Sequence, residues 1–510
     1  MKNLSFITLF ALLSLHCGSP AEAPVENAQS DPQKLSADIW IKGGSLIDGS
    51  GREAFVGDVL IKGQQIIYLG NTEQKIVQAQ QTIDASGMTV SPGFIDAHSH
   101  GGILNNLAQG VTTICLGQDG NSGSLNTLAD ELDTKNLQLP LNEAWWVGHG
   151  TLRTETGVGT RRNPDDKMID GMGKQLALLM DKGAFGLSTG LEYIPGIYAE
   201  REELLALARV VGRFEGMMVS HIRNEDDDQL FVALDELTAC GKYCRVHVSH
   251  LKSVYGKGQV RAQEILAYLD KVGVRTKGMS ADLYPYSASY TTIGIVFPKW
   301  ARPPADYFSV RRSREEELSA YLRERVKKRN GPEATLFGSK KYAGKTLAQV
   351  AREQNRSSEE VLMDIGPTGA SAAYFVMDDE LQKALTAWPN LMISSDGSET
   401  MHHPRGYGSF TKVLSEWSLE DQIMGLETAI YKMTALPAAT FGFEKRGLLK
   451  EGYYADIAIF KPENLRAKAS FINPHILAEG MHIVLINGQI VWQDQKWIGN
   501  KAGQMLKNKR

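Results

Sequence analysis

Between residues 89 and 396 the sequence alternates short apolar runs that end in polar residues with longer amphipathic stretches. The apolar runs cover 89–100, 111–116, 144–149, 184–189, 217–222, 245–251, 279–284 and 391–396, and stretches such as 202–215 and 260–272 carry a helical period between them. Parallel strands need crossover helices, and eight such units close on themselves. The rhythm therefore predicts an α/β fold, a (β/α)8 TIM-like barrel. An open doubly wound sheet would want a glycine-rich phosphate turn after its first strand, and Gly101-Gly102 alone is a poor match.

The flanks read differently. Residues 37–90 break into short apolar runs punctuated by Gly43-Gly44, Gly49-Ser50-Gly51 and Gly63, which is hairpin texture. That texture returns in 445–500, where Asn487-Gly488 is a strong hairpin turn. Together the two ends predict one small β-sandwich domain, leaving 91–444 for the barrel. Before the last barrel strand lie about a hundred residues, far beyond an ordinary loop. This stretch predicts an inserted helical subdomain, about residues 295–360, over the barrel mouth. The charged run at 314–331 reads as a solvated helix face.

Met1 and Lys2 precede an apolar run from Phe6 to Leu15, too short for a stable membrane span, and Cys17 follows at once. Residues 1–17 predict an export signal, either an ordinary cleaved one or one whose cysteine is acylated to anchor a lipoprotein to a membrane. Residues 18–36 read as a flexible linker. The expected location is outside the cytoplasm, periplasmic or membrane-anchored in a bacterium. Four cysteines in 510 residues are too few for a disulfide scaffold. Cys240 and Cys244 either pair after export or pack as small buried residues. A net charge of -4, with no long Lys/Arg run, argues against a nucleic-acid partner.

Barrel enzymes carry their chemistry at the C-terminal ends of the strands. Here those ends hold His98 and His100, Cys115, His149, His221, His250 and Asp396, so five of the eleven histidines fall there. Residues two apart on a strand face one side, so His98 and His100 can share one ion. Cys115, His221 and His250 supply ligands that suit Zn2+ with an open fourth position. His149 is a candidate to orient a neighbour or bind substrate. His247 faces away from His250, and His402 and His403 need not bind metal. Asp396 can take the proton of a water beside a metal. Lys252 shares the strand face of His250, and Tyr284 and Arg405 lie near later strand ends. An arginine there can grip a carboxylate with two parallel hydrogen bonds.

Pro92-Gly93-Phe94-Ile95-Asp96-Ala97-His98-Ser99-His100, with the later strand-end His221, His250 and Asp396, resembles the amidohydrolase superfamily. Within it the likeness is to the N-acyl-D-amino-acid deacylases. It is carried by Gly110-Val111-Thr112-Thr113, Gly148-His149-Gly150-Thr151-Leu152-Arg153, Gly186 to Tyr193, Ser220-His221-Ile222-Arg223, Ser249-His250-Leu251-Lys252, Tyr284-Pro285-Tyr286, Ser395-Asp396-Gly397 and His403-Pro404-Arg405. The resemblance implies that a second-strand cysteine takes the ligand role that a carboxylated lysine plays in hydantoinases. On that basis Cys115, His221 and His250 hold one tight zinc. A weaker second site would use His98, His100 and Asp396, bridged by Cys115. Asp396 would act as the proton carrier, Tyr193 as an aid to the oxyanion, and Lys252, Tyr284 and Arg405 as the grip on the substrate α-carboxylate. The expected substrate is a small molecule, an N-acyl-D-amino acid or a dipeptide. Other readings are an L,D-dipeptidase, a cyclic-amide hydrolase, or a non-catalytic surface binding protein that keeps the barrel.

Overall fold

The computed structural model describes residues 34–134 and 137–509. The predicted signal, Cys17 and most of the linker lie outside them. Residues 34–36, read from sequence as linker, open a long strand, Lys34–Leu46.

Eight parallel strands form the barrel. They are Phe94–Asp96, Val111–Leu116, Asn142–Trp145 continued by Val147–Gly148, Gly186–Gly190, Met217–His221, Arg245–Val248, Met279–Leu283 and Leu391–Ile393. Each pairs in parallel with the next in chain order. Ring closure comes from a parallel bridge between Ser99 and Gly397, with His100 N donating to Gly397 O at 2.8 Å and Asp396 N donating to His98 O at 2.8 Å. The closure thus lies among the residues singled out above. Helices Asp166–Asp181, Arg201–Arg213, Leu230–Cys240 and Gly258–Gly273 turn leucines, isoleucines and valines inward onto this ring, the one-sided burial expected of surface helices.

The two chain ends meet in one continuous nine-stranded sheet. The first stretch predicted as a single strand in fact serves two layers. Thr89–Pro92 pairs in parallel with Ser45 and Leu46 and antiparallel with Ile457–Phe460, and the chain enters the barrel only after Gly93. Nothing larger than glycine fits at that crossing, since a Cβ on Gly93 would sit 2.2 Å from the Thr112 side chain. The sheet wraps a shared interior that includes Ile41, Val59, Ile83, Ile457 and Leu485. The Asn487-Gly488 turn has left-handed backbone at both residues, with φ +48° and +79°, the geometry of a tight primed turn.

Residues 289–376 form the insertion, which has its own apolar core of Phe297, Leu318, Leu322, Leu347 and Val361 among others, while the following helix Asp379–Leu385 buries Leu381 and Leu385 in the barrel core. It is not purely helical. Beside helices such as Glu315–Lys328 it contains an antiparallel sheet of Ser289–Thr292, Ser371–Tyr374 and Thr335–Phe337. Short strands with small residues (Ser371 to Ala373) gave no clear alternation in the sequence. Cys240 and Cys244 are buried free thiols.

Candidate metal centre

A cavity of about 740 Å³ opens at the C-terminal mouth of the barrel, lined by His100, Asp119, His221, His250 and Asp396 and roofed by insertion residues including Tyr290, Thr291 and Ile295. His98 lies at its floor, fully buried, and neither of its ring nitrogens has a hydrogen-bond partner among the described residues. Its Nε2 faces Asp119 Oδ1 and Asp396 Oδ1, each at 3.5 Å, and an ion among them would give this buried nitrogen a partner.

The donors fall into two adjoining groups. His98, Asp119, His250 and Asp396 bring ligand atoms within 4.8 Å of one another. His100 Nε2 joins them, 3.2 Å from Asp396 Oδ1 and 3.5 Å from Asp119 Oδ2. On the other side, His221 Nδ1 lies 3.0 Å from His250 Nε2, which in turn lies 3.3 Å from Asp119 Oδ1. Three of these residues have left-handed backbone: Asp119 at φ +52°, His250 at +38° and Asp396 at +47°. Such conformations are costly outside glycine and cluster where geometry serves function.

Carboxylates behind the ring fix the imidazoles. Glu192 Oε2 lies 3.1 Å from His221 Nε2, leaving Nδ1 to face the centre. Glu225 Oε1 lies 3.1 Å from His250 Nδ1, leaving Nε2 to face it. A partner on one ring nitrogen sets which nitrogen can bind a metal. The Lys252 ammonium, also 2.7 Å from His250 Nδ1, donates to Glu225 Oε1 at 2.6 Å. Burial would raise the Asp119 carboxyl, but the facing His98 and His250 hold it well below the usual range. Burial likewise opposes ionisation of Asp396, and Arg405, His250 and His98 outweigh it. Both carboxylates are thus anionic, as metal ligands must be.

Cys115 is not part of either group. It packs with Ile95, Ala97, Ala144 and Trp146 inside the barrel. Burial, reinforced by the charges of Asp96 and Asp282, pushes its thiol well above the ordinary range. The sequence reading of Cys115 as ligand and bridge is therefore corrected. Cys115 still belongs to the strand Val111–Leu116 and points into its packed interior, whereas Asp119 lies in the turn beyond the strand end and reaches the rim. His149 is corrected as a substrate contact as well. Its Nε2 pairs with Glu203 Oε1 at 2.7 Å, beside Arg153, and it does not line the cavity.

The other candidates line the cavity together. The Tyr193 ring packs on His221 with centroids 4.4 Å apart, and burial raises its phenol well above the ordinary value, so it stays a donor. Arg405 Nη1 lies 2.7 Å from Asp396 Oδ2, and its guanidinium stacks 4.7 Å from the centre of the Tyr284 ring. His403 holds the turn, accepting from Arg405 N at 3.1 Å and lying 3.0 Å from Ala288 O. His247 turns away into Ser280 and Asp282.

A family model described as "Amidohydrolase family" matches residues 313–492. A D-aminoacylase of Alcaligenes xylosoxydans xylosoxydans is 31% identical over 94% of this chain and 99% of its own length. The chain belongs to the D-aminoacylase family of amidohydrolases. Among solved structures of the family, a D-aminoacylase studied for its binuclear metal centre, with one-metal activation and second-metal attenuation, superposes with a TM-score of 0.78 at 29% identity, covering 92% of this chain and all of that one. An N-acyl-D-glutamate deacylase from Bordetella bronchiseptica, complexed with zinc and a phosphonate mimic of the tetrahedral intermediate, gives 0.77 at 29% identity over 93% of this chain and all of that one.

As a D-aminoacylase-family barrel, the chain holds three residues that sequence reasoning passed over: Asp119, Glu192 and Glu225. Asp119 was legible as a lone acid in Gly117-Gln118-Asp119-Gly120, directly after a barrel strand. Glu192 and Glu225 follow strand ends by two and four residues, but nothing local marks a carboxylate as a histidine's partner.

Proposed function

We propose that this chain hydrolyses the amide bond of N-acyl-D-amino acids with zinc, releasing a carboxylate and a free D-amino acid. The observation that carries the reading is the sharing of one cavity by the histidine–carboxylate centre and two buried cations, Lys252 and Arg405. Bound there, zinc would supply a Lewis acid that acidifies water and polarises an amide carbonyl. His98, His100, His221, His250, Asp119 and Asp396 would hold it.

The chain's own groups do the rest. Asp396, open to the cavity beside His100, accepts the proton of the attacking water and returns it to the departing nitrogen. The Tyr193 hydroxyl donates to the oxygen that gains charge. Lys252 and Arg405, braced against the Tyr284 ring, meet the α-carboxylate and set which face of the amide turns toward Asp396. The insertion residues Tyr290, Thr291 and Ile295 cover the reacting amide and limit its access to bulk water.

The test is release of primary amine from matched N-acetyl-D- and N-acetyl-L-amino acids and from L,D-dipeptides by zinc-loaded protein. Turnover confined to the D isomers supports the reading. Equal turnover of L isomers, or none of either, sinks it. The signal-like residues 1–17 support export, with Cys17 as the lipid-bearing residue of a membrane-anchored protein. Incorporation of labelled palmitate that vanishes in Cys17→Ala would support the anchor, and a soluble, unlabelled periplasmic protein would leave export alone. Among the described residues no helix is long and apolar enough to cross a membrane.

A further inference from the structure

We infer that Asp119 makes this a sulfur-free centre that holds two divalent ions joined by its carboxylate. The inference rests on the metal-dependent reading above and concerns how the chain's residues divide between ions. The two oxygens of Asp119 face different histidines. Oδ1 lies 3.3 Å from His250 Nε2 and 3.5 Å from His98 Nε2, and Oδ2 lies 3.5 Å from His100 Nε2. Oδ1 thus stands between His98 and His250, with Asp396 and His100 beside the first and His221 Nδ1 3.0 Å from the second.

Glu192 and Glu225 back His221 and His250, so His221 Nδ1 and His250 Nε2 are the nitrogens turned toward the centre. The reach of Asp119 is fixed too. At Gly117 (φ +75°) a Cβ would lie 2.0 Å from Trp146 O, so the turn that presents Asp119 is seated against the neighbouring strand and leaves its carboxylate little freedom. All donors are imidazole nitrogen or carboxylate oxygen. The thiol of Cys115 is packed below them. A carboxylate offers two atoms where a thiolate offers one, so it can serve two ions without either giving up its share. Nitrogen and oxygen donors also admit cobalt and manganese alongside zinc, whereas a thiolate would narrow the choice toward softer ions.

The test uses the full chain, stripped with chelator and dialysed against zinc or cobalt chloride. Metal analysis is expected to give two zinc per chain, falling to one or none in Asp119→Ala. The cobalt protein is expected to show visible ligand-field bands without the intense near-ultraviolet thiolate charge-transfer band. Asp119→Cys should introduce that band, and Cys115→Ser should change neither spectrum nor stoichiometry. A single zinc in the wild-type chain overturns the two-ion assignment. A thiolate band in wild type that disappears in Cys115→Ser overturns the sulfur-free one. Because both readouts are independent of turnover, a protein that binds two ions and cleaves no D-amide would refute the proposed reaction and leave this inference standing.

Discussion

Replacing Glu225 by glutamine changes no volume and removes one charge, and the structure says what that charge does. Glu225 accepts from the ammonium of Lys252 at 2.6 Å and faces His250 Nδ1 at 3.1 Å, with both partners buried. Two separate losses are expected. Lys252 is left as an unpaired buried cation, which costs on the order of 3–5 kcal/mol of stability. His250 loses the anion behind its Nδ1, and loss of such a partner weakens metal binding about 10–100-fold, or roughly 1.4–2.7 kcal/mol. Denaturant unfolding of metal-free protein reads the first. Competition for zinc against a chromophoric chelator reads the second. Adding Lys252→Met in the same chain should recover most of the stability, because the orphaned charge is gone, yet leave zinc affinity low. If Glu225→Gln binds zinc as tightly as wild type while unfolding early, Glu225 is only the counter-ion of Lys252. The argument that it orients His250 is then wrong.

Asp396→Asn should lose about 10²–10⁴-fold in kcat, the usual worth of a general acid–base group; near-normal turnover would remove Asp396 from that role. Among the described residues the only Lys or Arg side chains lining the cavity are Lys252 and Arg405, both assigned above to the α-carboxylate, which leaves no cation for an acidic side chain. N-acetyl derivatives of D-methionine or D-leucine should therefore surpass those of D-aspartate and D-glutamate in kcat/KM, and the reverse order would show a cation reaching the side chain. Zinc at about a hundred times its Kd should stabilise the chain by roughly 2.7 kcal/mol, seen as a higher Tm that chelator abolishes. Burial lowers the Lys432 ammonium to about 8 from a free value of about 10.4. Across that interval the unfolded chain holds more protons, so the stability of wild type relative to Lys432→Met should rise from pH 8 to pH 10 and stay level below pH 8. A pH-independent difference between the two proteins would contradict that burial effect.

The barrel was readable because it repeats. Met217–His221 is a short apolar run ending in polar residues, and a repeat of eight such units leaves few architectures. His98, His100, His221, His250 and Asp396 were readable because such strand ends have fixed places on the ring. Cys115 misled because a ligand was sought within the strand, where the side chain that pointed inward met Trp146 and Ile95 instead. Asp119 lies where the chain has left periodic structure, and only the closed ring shows which way that turn faces. Glu225 is similar, since its contact with His250 spans 25 residues and depends on two neighbouring strands lying side by side. In the insertion, the sheet of Ser289–Thr292, Ser371–Tyr374 and Thr335–Phe337 joins segments up to some 80 residues apart, which no window of sequence can anticipate.

The marriage of the two chain ends carries a cost in time. Strand Thr89–Pro92 is hydrogen-bonded to Ile457–Phe460, and residues near the very end reach back to the barrel, with Gly503 N donating to Leu139 O at 2.8 Å and Leu506 N donating to Glu143 O at 2.8 Å. During synthesis at roughly 5–20 residues per second, the early strands wait tens of seconds for partners that have not yet been made. Through that interval they present an open edge able to pair with a neighbouring chain. A nascent or truncated polypeptide lacking its last sixty residues, the strand Ile457–Phe460 among them, would be a far stickier object than the finished enzyme.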